Sequence, residues 1–164
     1  MLPQDIEDLA AAVVEAAART GVMVATAESC TGGLVAAALT SVAGASAALD
    51  RGFVTYSNEA KMEMLDVSGD LLVRFGAVSA PVARAMALGA VNHSRAATAV
   101  AITGVAGPGG GSADKPVGLV HFAAVGPDGA VAHVERRFGD IGRDAVREES
   151  VRLALGLLLT AVAA

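Results

Sequence analysis

The sequence predicts an α/β fold, a three-layer α/β/α arrangement around a mixed sheet, in a single domain over residues 1–164. Three observations carry that prediction. Segments with helical periodicity alternate with short apolar runs of strand length, the pattern of helices packed on a largely parallel sheet. Later in the chain, two apolar runs flank Pro127-Asp128-Gly129, a hairpin signal that adds antiparallel pairing. Apolar residues make up 54% of the chain and aromatics only 3%, so the core must be built from small aliphatic side chains that suit close helix–sheet contact.

Taken in order, the first helix begins near Pro3, whose missing N–H costs nothing in a first turn. Asp5, Glu7 and Asp8 suit the positive end of its dipole, Ile6, Leu9, Val13 and Ala17 recur on one face, and Gly21 stops it. Val22 to Ala27 is a buried strand and Thr31 to Leu39 a helix. Leu49 to Tyr56 is a second strand, after which Ser57 or Asn58 caps a helix running to about Leu65. A short helical piece over 69–75 closes at Gly76. Ser79 opens another helix, with Pro81 in its first turn and Val82, Met86 and Leu88 available for burial. Ala97 to Ile102 is a strand, followed by a glycine-rich loop from Gly104 to Gly111. Val117–Val125 and Ala130–Phe138 form the hairpin strands. A long helix starts near Arg143, with Val146, Ser150, Leu153, Leu157 and Leu158 near one face.

Composition narrows the function. The net charge is −5 and no Lys/Arg stripe is present, which argues against a nucleic-acid partner, because phosphate neutralisation supplies most of such affinity. A single cysteine, Cys30, excludes an internal disulfide and a cysteine-rich metal site, in keeping with a reducing cytoplasm. The start, MLPQDIEDLA, is acidic and unlike a signal peptide. The longest uncharged apolar stretch, Leu153–Ala164, is 12 residues, short of the ~20 a membrane helix needs. The expectation is a cytoplasmic protein without membrane partner, metal or other cofactor.

Three strand exits carry candidate chemistry. The first is Thr26-Ala27-Glu28-Ser29-Cys30-Thr31-Gly32-Gly33, where a strand ends and a helix begins. Side chains there project from the carboxyl edge of the sheet, where α/β proteins bind ligands, and the helix start is expected to offer free N–H groups for an oxyanion or phosphate. The alternative is an ordinary N-cap by Ser29 or Thr31. Two nucleophiles compete: the Cys30 thiol is intrinsically better, yet a cysteine hydrolase usually needs a histidine base, and His93, His121 and His133 sit in no motif-like setting. A serine can use a lysine whose pKa burial has lowered. Lys61, one turn into the helix that follows Tyr56-Ser57-Asn58, is placed to reach back to that edge; otherwise it is a solvated helix lysine. The third exit is Ile102-Thr103-Gly104 and the glycine loop, neither a Walker loop nor a dinucleotide fingerprint, with Thr103 the residue to touch substrate. Arg143 and Arg147, four apart at the start of the last helix, offer guanidinium groups to a phosphate, or form a solvated face with Asp144 and Glu148.

TAESCTGG (26–33), YSNEAK (56–61), GAVS (76–79), ITGVAGPGGG…KPVG (102–118) and FGDIGRDAVRE (138–148), in this order and across essentially the whole chain, resemble the CinA C-terminal family. Longer members carry an additional N-terminal domain; this chain is similar to the stand-alone amidohydrolases. The resemblance implies deamidation of nicotinamide mononucleotide without a metal, by a Ser/Lys mechanism. By motif position it implies Ser29 as nucleophile, Lys61 as base and Tyr56 as an assisting or orienting group. It places Cys30, Thr31, Gly32, Ser46, Thr103, Gly104 and Arg143 on the substrate, with the register of Arg143 against Arg147 open, and it implies a homo-oligomer, a dimer. The alternatives are a non-catalytic nucleotide-binding module linked to competence or DNA damage, and an amidase for another small amide.

Overall fold

A computed structural model describes residues 2–164. Helix α1 (Gln4–Thr20) leads into strand β1 (Val24–Glu28), helix α2 (Leu34–Thr40), a 3₁₀ turn (Ala45–Ala47) and β2 (Leu49–Val54). Helices α3 (Asn58–Leu65), α4 (Gly69–Phe75) and α5 (Ala80–Asn92) follow, then β3 (Thr98–Gly104), the hairpin β4 (Leu119–Val125) and β5 (Val131–Arg137), and α6 (Arg143–Ala163). The sheet order is β2-β1-β3-β4-β5, with β1 parallel to both neighbours and β4 and β5 antiparallel.

Strand periodicity sorts the core onto two faces. Val24, Val100, Ile102, Val120 and Phe122 point to one side, where α1, α2 and α6 cover them. Ala25, Ala27, Ala99, Ala101, Ala123 and Val125 point to the other, beneath α3, α4 and α5. The second face is lined largely by alanine, so α5 lies close to the sheet. At Gly89 an added Cβ would stand 2.1 Å from the Leu65 carbonyl oxygen, so α5 also meets the end of α3 at a distance only glycine allows.

The connections fix where the site must lie. The chain leaves β1 through α2 to reach β2 on one side, and leaves β2 through α3, α4 and α5 to reach β3 on the other. The carboxyl ends of β1 and β3 therefore flank a point where strand order reverses, the position at which open α/β sheets bind ligands.

Several expected boundaries move. Ser57, rather than Asn58, caps α3, its Oγ accepting from Ala60 N at 3.0 Å. Leu88 is 41% exposed, not buried. It lies six residues beyond Val82, well away from the Val82–Met86 face in a helix of 3.6 residues per turn. The helix expected from Thr31 begins only at Leu34, because Gly32 and Gly33 take positive φ angles of 59° and 101° and residues 29–33 form a tight turn. No helix among the described residues is long and apolar enough to cross a membrane.

Candidate active site

The turn after β1 is built around a buried acid. Glu28 ends a strand that is otherwise apolar or threonine, and its side chain is fully enclosed. Its two carboxylate oxygens accept from Val35 N at 2.9 Å and Ala36 N at 3.0 Å, and Thr26 Oγ1 lies 3.3 Å from the second. These bonds satisfy donors at the start of α2 and place a negative charge at the positive end of its dipole. The expected free N–H groups at the helix start are thus taken, and neither Ser29 nor Thr31 serves as the N-cap. In the turn, Cys30 N, Thr31 N and Gly33 N have no acceptor among the described residues. Gly32 N returns to Ser29 O at 3.0 Å, and Ser29 N bonds Ile102 O at 2.9 Å, tying the turn to β3.

Lys61 is the largest fully buried side chain among the described residues, 1% exposed. Placed by the Ser57-capped first turn of α3, it reaches back to the sheet edge. Its Nζ donates to Thr55 O at 2.8 Å and lies 3.1 Å from Ser29 Oγ. No carboxylate accompanies it there; removal from water lowers its pKa below the usual 10.5, only partly opposed by the Cys30 thiol beside it. Cys30 behaves in the opposite way. Burial pushes its thiol up to about 11, despite the opposing pull of its own backbone N–H, and no side chain bonds it. Near neutral pH this thiol is protonated and without a base, whereas the Ser29 hydroxyl has an amine at hydrogen-bond distance.

Both residues open on a cavity of about 200 Å³ at the carboxyl edge of the parallel strands. Tyr56 and Lys61 border it from the β2 side, Ala77 and Val78 from the loop before α5, Thr103, Gly104 and Ala106 from β3 and its exit, and Arg143 from α6. Thr103 Oγ1 donates to Ala77 O at 2.8 Å, pinning that loop. Arg143 donates from Nη1 to Gly107 O at 2.8 Å and from Nη2 to Tyr56 OH at 3.2 Å, joining the glycine loop to the exposed tyrosine across the rim. Its remaining N–H groups are available to an anion.

Other residues expected at the site lie elsewhere. Ser46 is exposed in the 3₁₀ turn before β2. That turn adjoins the start of β1, through Val24 N to Ala48 O at 2.8 Å, so Ser46 is at the amino end of the parallel strands, the edge opposite the cavity. Thr31 is buried with its hydroxyl unpartnered, and Gly32 is exposed; neither lines the cavity. Arg147 does not face it either: Nε donates to Cys30 O at 3.1 Å and Nη2 to Thr31 O at 3.3 Å. The cavity-lining arginine is Arg143. Glu28, Ala77 and Val78 were not singled out by residue chemistry, although a lone acid closing an apolar strand was a visible signal. No histidine lines the cavity: His93 pairs with Asp66 at 2.6 Å, and His121, opposite Thr103 on β4, pairs with His133 at 2.9 Å. Among the described residues no group of three or more His, Cys, Asp or Glu is placed to hold a metal ion.

Fold and cavity together define an α/β protein with a buried serine–lysine pair at the carboxyl rim of its parallel strands. The chain belongs to the CinA family: the CinA C-terminal domain matches it over residues 6–162. It is 48% identical, over 96% of its own length and 95% of the other's, to a protein from Escherichia coli strain K12 named nicotinamide-nucleotide amidohydrolase PncC. It is 52% identical to a CinA-like protein from Synechococcus sp. strain RCC307, of which it spans only 37%. Among solved structures, the competence/damage inducible protein CihA from Agrobacterium tumefaciens superimposes with a TM-score of 0.96 at 56% identity, covering 98% of both chains. A CinA superfamily protein from Escherichia coli gives 0.90 at 38% identity, covering 97% of this chain and 92% of that one.

Proposed function

We propose that the protein is a nicotinamide-nucleotide amidohydrolase, converting nicotinamide mononucleotide to nicotinate mononucleotide and ammonia, with Ser29 as nucleophile and Lys61 as general base. The observation that carries the reading is the 3.1 Å approach of a desolvated Lys61 Nζ to Ser29 Oγ at the wall of the cavity. The choice of amide is supported by near-full-length similarity to proteins bearing that name.

In this mechanism the neutral Lys61 amine takes the Ser29 hydroxyl proton as Oγ attacks the carboxamide carbon. The tetrahedral oxyanion is received by the N–H group of Cys30, the residue of the turn that lines the cavity beside Ser29; one such donor is worth roughly 10²–10³ in rate. The Lys61 ammonium returns the proton to the departing nitrogen, the C–N bond breaks and ammonia leaves. Water then attacks the Ser29 ester, Lys61 accepts its proton, and the acid product departs as Ser29 Oγ is reprotonated. Arg143 holds the phosphate at the rim, and Tyr56, on which it rests, orients it.

The test is ammonia release from nicotinamide mononucleotide by Ser29→Ala, Lys61→Ala and Cys30→Ala. The first two are expected to lose turnover by at least about 10³-fold, as removal of a nucleophile or its base does, and Cys30→Ala to keep most of it. Retained turnover in Ser29→Ala with loss in Cys30→Ala would reverse the assignment of nucleophile.

A further inference from the structure

We propose that Arg147 is a positioning residue that holds the Cys30–Thr31 peptide, next to the nucleophile, in its working orientation, an inference that rests on the amide-hydrolysis reading above. Arg147 is not on the cavity. From one turn further along α6 than Arg143, its guanidinium forks onto two successive carbonyls, Cys30 O at 3.1 Å and Thr31 O at 3.3 Å. The only cis peptide bond among the described residues is Gly107–Pro108, so the Cys30–Thr31 peptide is trans. In a planar trans peptide the C=O and N–H point in opposite directions. Drawing Cys30 O toward Arg147 therefore turns Thr31 N–H away from α6, and that N–H meets no acceptor among the described residues. In the next peptide, Thr31 O faces Arg147 while Gly32 N–H bonds Ser29 O at 3.0 Å, so both planes are fixed.

The turn needs such a hold. Glu28 secures only its downstream end, through Val35 N and Ala36 N. Gly32 and Gly33, at positive φ, supply the freedom by which the peptides between could rotate. A rotated Cys30–Thr31 peptide would shift the backbone that carries Ser29 and Cys30, both of which line the cavity. A planar guanidinium suits two adjacent carbonyls in a way that a lysine ammonium does not.

The discriminating experiment compares Arg147→Ala and Arg147→Gln with Arg143→Ala. Steady-state ammonia release from nicotinamide mononucleotide is combined with amide NMR of the free protein. The expected result for Arg147→Ala is a kcat lowered roughly 10²-fold, the scale of a slightly misplaced reacting group, with KM nearly unchanged and part of the rate restored by added guanidinium ion. Arg143→Ala should instead raise KM. In Arg147→Gln the amide signals of Thr31 and Gly32 should shift or broaden while those of Val35 and Ala36 stay in place. A wild-type kcat in both Arg147 variants, or a rise in KM alone, overturns the proposal. So do unchanged Thr31 and Gly32 signals, even if the wild-type protein releases no ammonia, a result that would defeat the amidohydrolase reading separately. If Arg147→Ala does not fold, Arg147→Gln decides.

Discussion

Lys61 is costly to bury and useful for the same reason. An amine removed from water favours its neutral form, the form the proposed mechanism needs to accept the Ser29 proton. Turnover should therefore rise with pH along a single ionisation whose pKa lies below 10.5, and the step should vanish with Lys61→Met. Stability gives an independent readout of the same shift. Between the lowered folded pKa and 10.5 the unfolded chain binds the extra proton, so native stability increases as pH rises through that window. The melting temperature of wild type minus that of Lys61→Met, followed by calorimetry, is expected to increase over the same interval; a flat difference would mean an unshifted lysine. Convergence of the two side chains was legible in the sequence, because each follows a strand and parallel strands end on one edge. The preference for Ser29 over Cys30 was not. It depends on burial raising the thiol to about 11, which adjacency in sequence cannot reveal.

Among the elements, α2 and α5 show how local rules were redirected by contacts. The sequence around 29–33 reads as a conventional helix start, and serine or threonine N-caps are common there. The structure uses Glu28 from the preceding strand instead, seven residues before Val35, and the helix starts only after a turn that carries Ser29. The last helix contributes in the same long-range way: the Arg147–Cys30 bond joins residues 117 apart, beyond any local pattern. Within α5, Gly89 permits the approach to Leu65. Gly89→Ala would gain helix propensity but drive a methyl group into a backbone oxygen. Overpacking of this kind costs about 1–3 kcal/mol, and at ~2–4 °C per kcal/mol for a chain of this size the melting temperature should fall by several degrees. A thermal shift toward higher temperature in Gly89→Ala would show that α5 can slide. Because α3 carries Lys61, the same variant should also lose activity beyond its loss of stability.

At the scale of the molecule, the layered architecture and mixed sheet follow from alternating periodicity and the hairpin signal, and the α/β reading stands. Ser46 marks where such reading ends. Its motif context says nothing about which end of the sheet the 3₁₀ turn adjoins, and the answer depends on pairing between β1 and β2. The division of the arginines likewise appears only when α6 is packed across the strand ends. That packing yields a specificity prediction: with Arg143 at the rim, the nucleotide should be deamidated far better than free nicotinamide. Arg143→Ala should narrow the ratio of their kcat/KM values by roughly 10–100-fold, the scale of a lost charge-assisted contact of 1.5–3 kcal/mol. An unchanged ratio would place the phosphate elsewhere.

Ser29, Lys61 and Thr103 come from the elements between β1 and β3, yet both guanidinium groups that meet this edge belong to α6, which also packs on α1. A chain truncated after the β4–β5 hairpin would lack Arg143 at the rim, Arg147 against the Cys30 and Thr31 carbonyls, and the apolar residues of α6 that cover one face of the sheet. Deleting α6 should therefore abolish cooperative unfolding and ammonia release together, rather than weaken substrate binding alone.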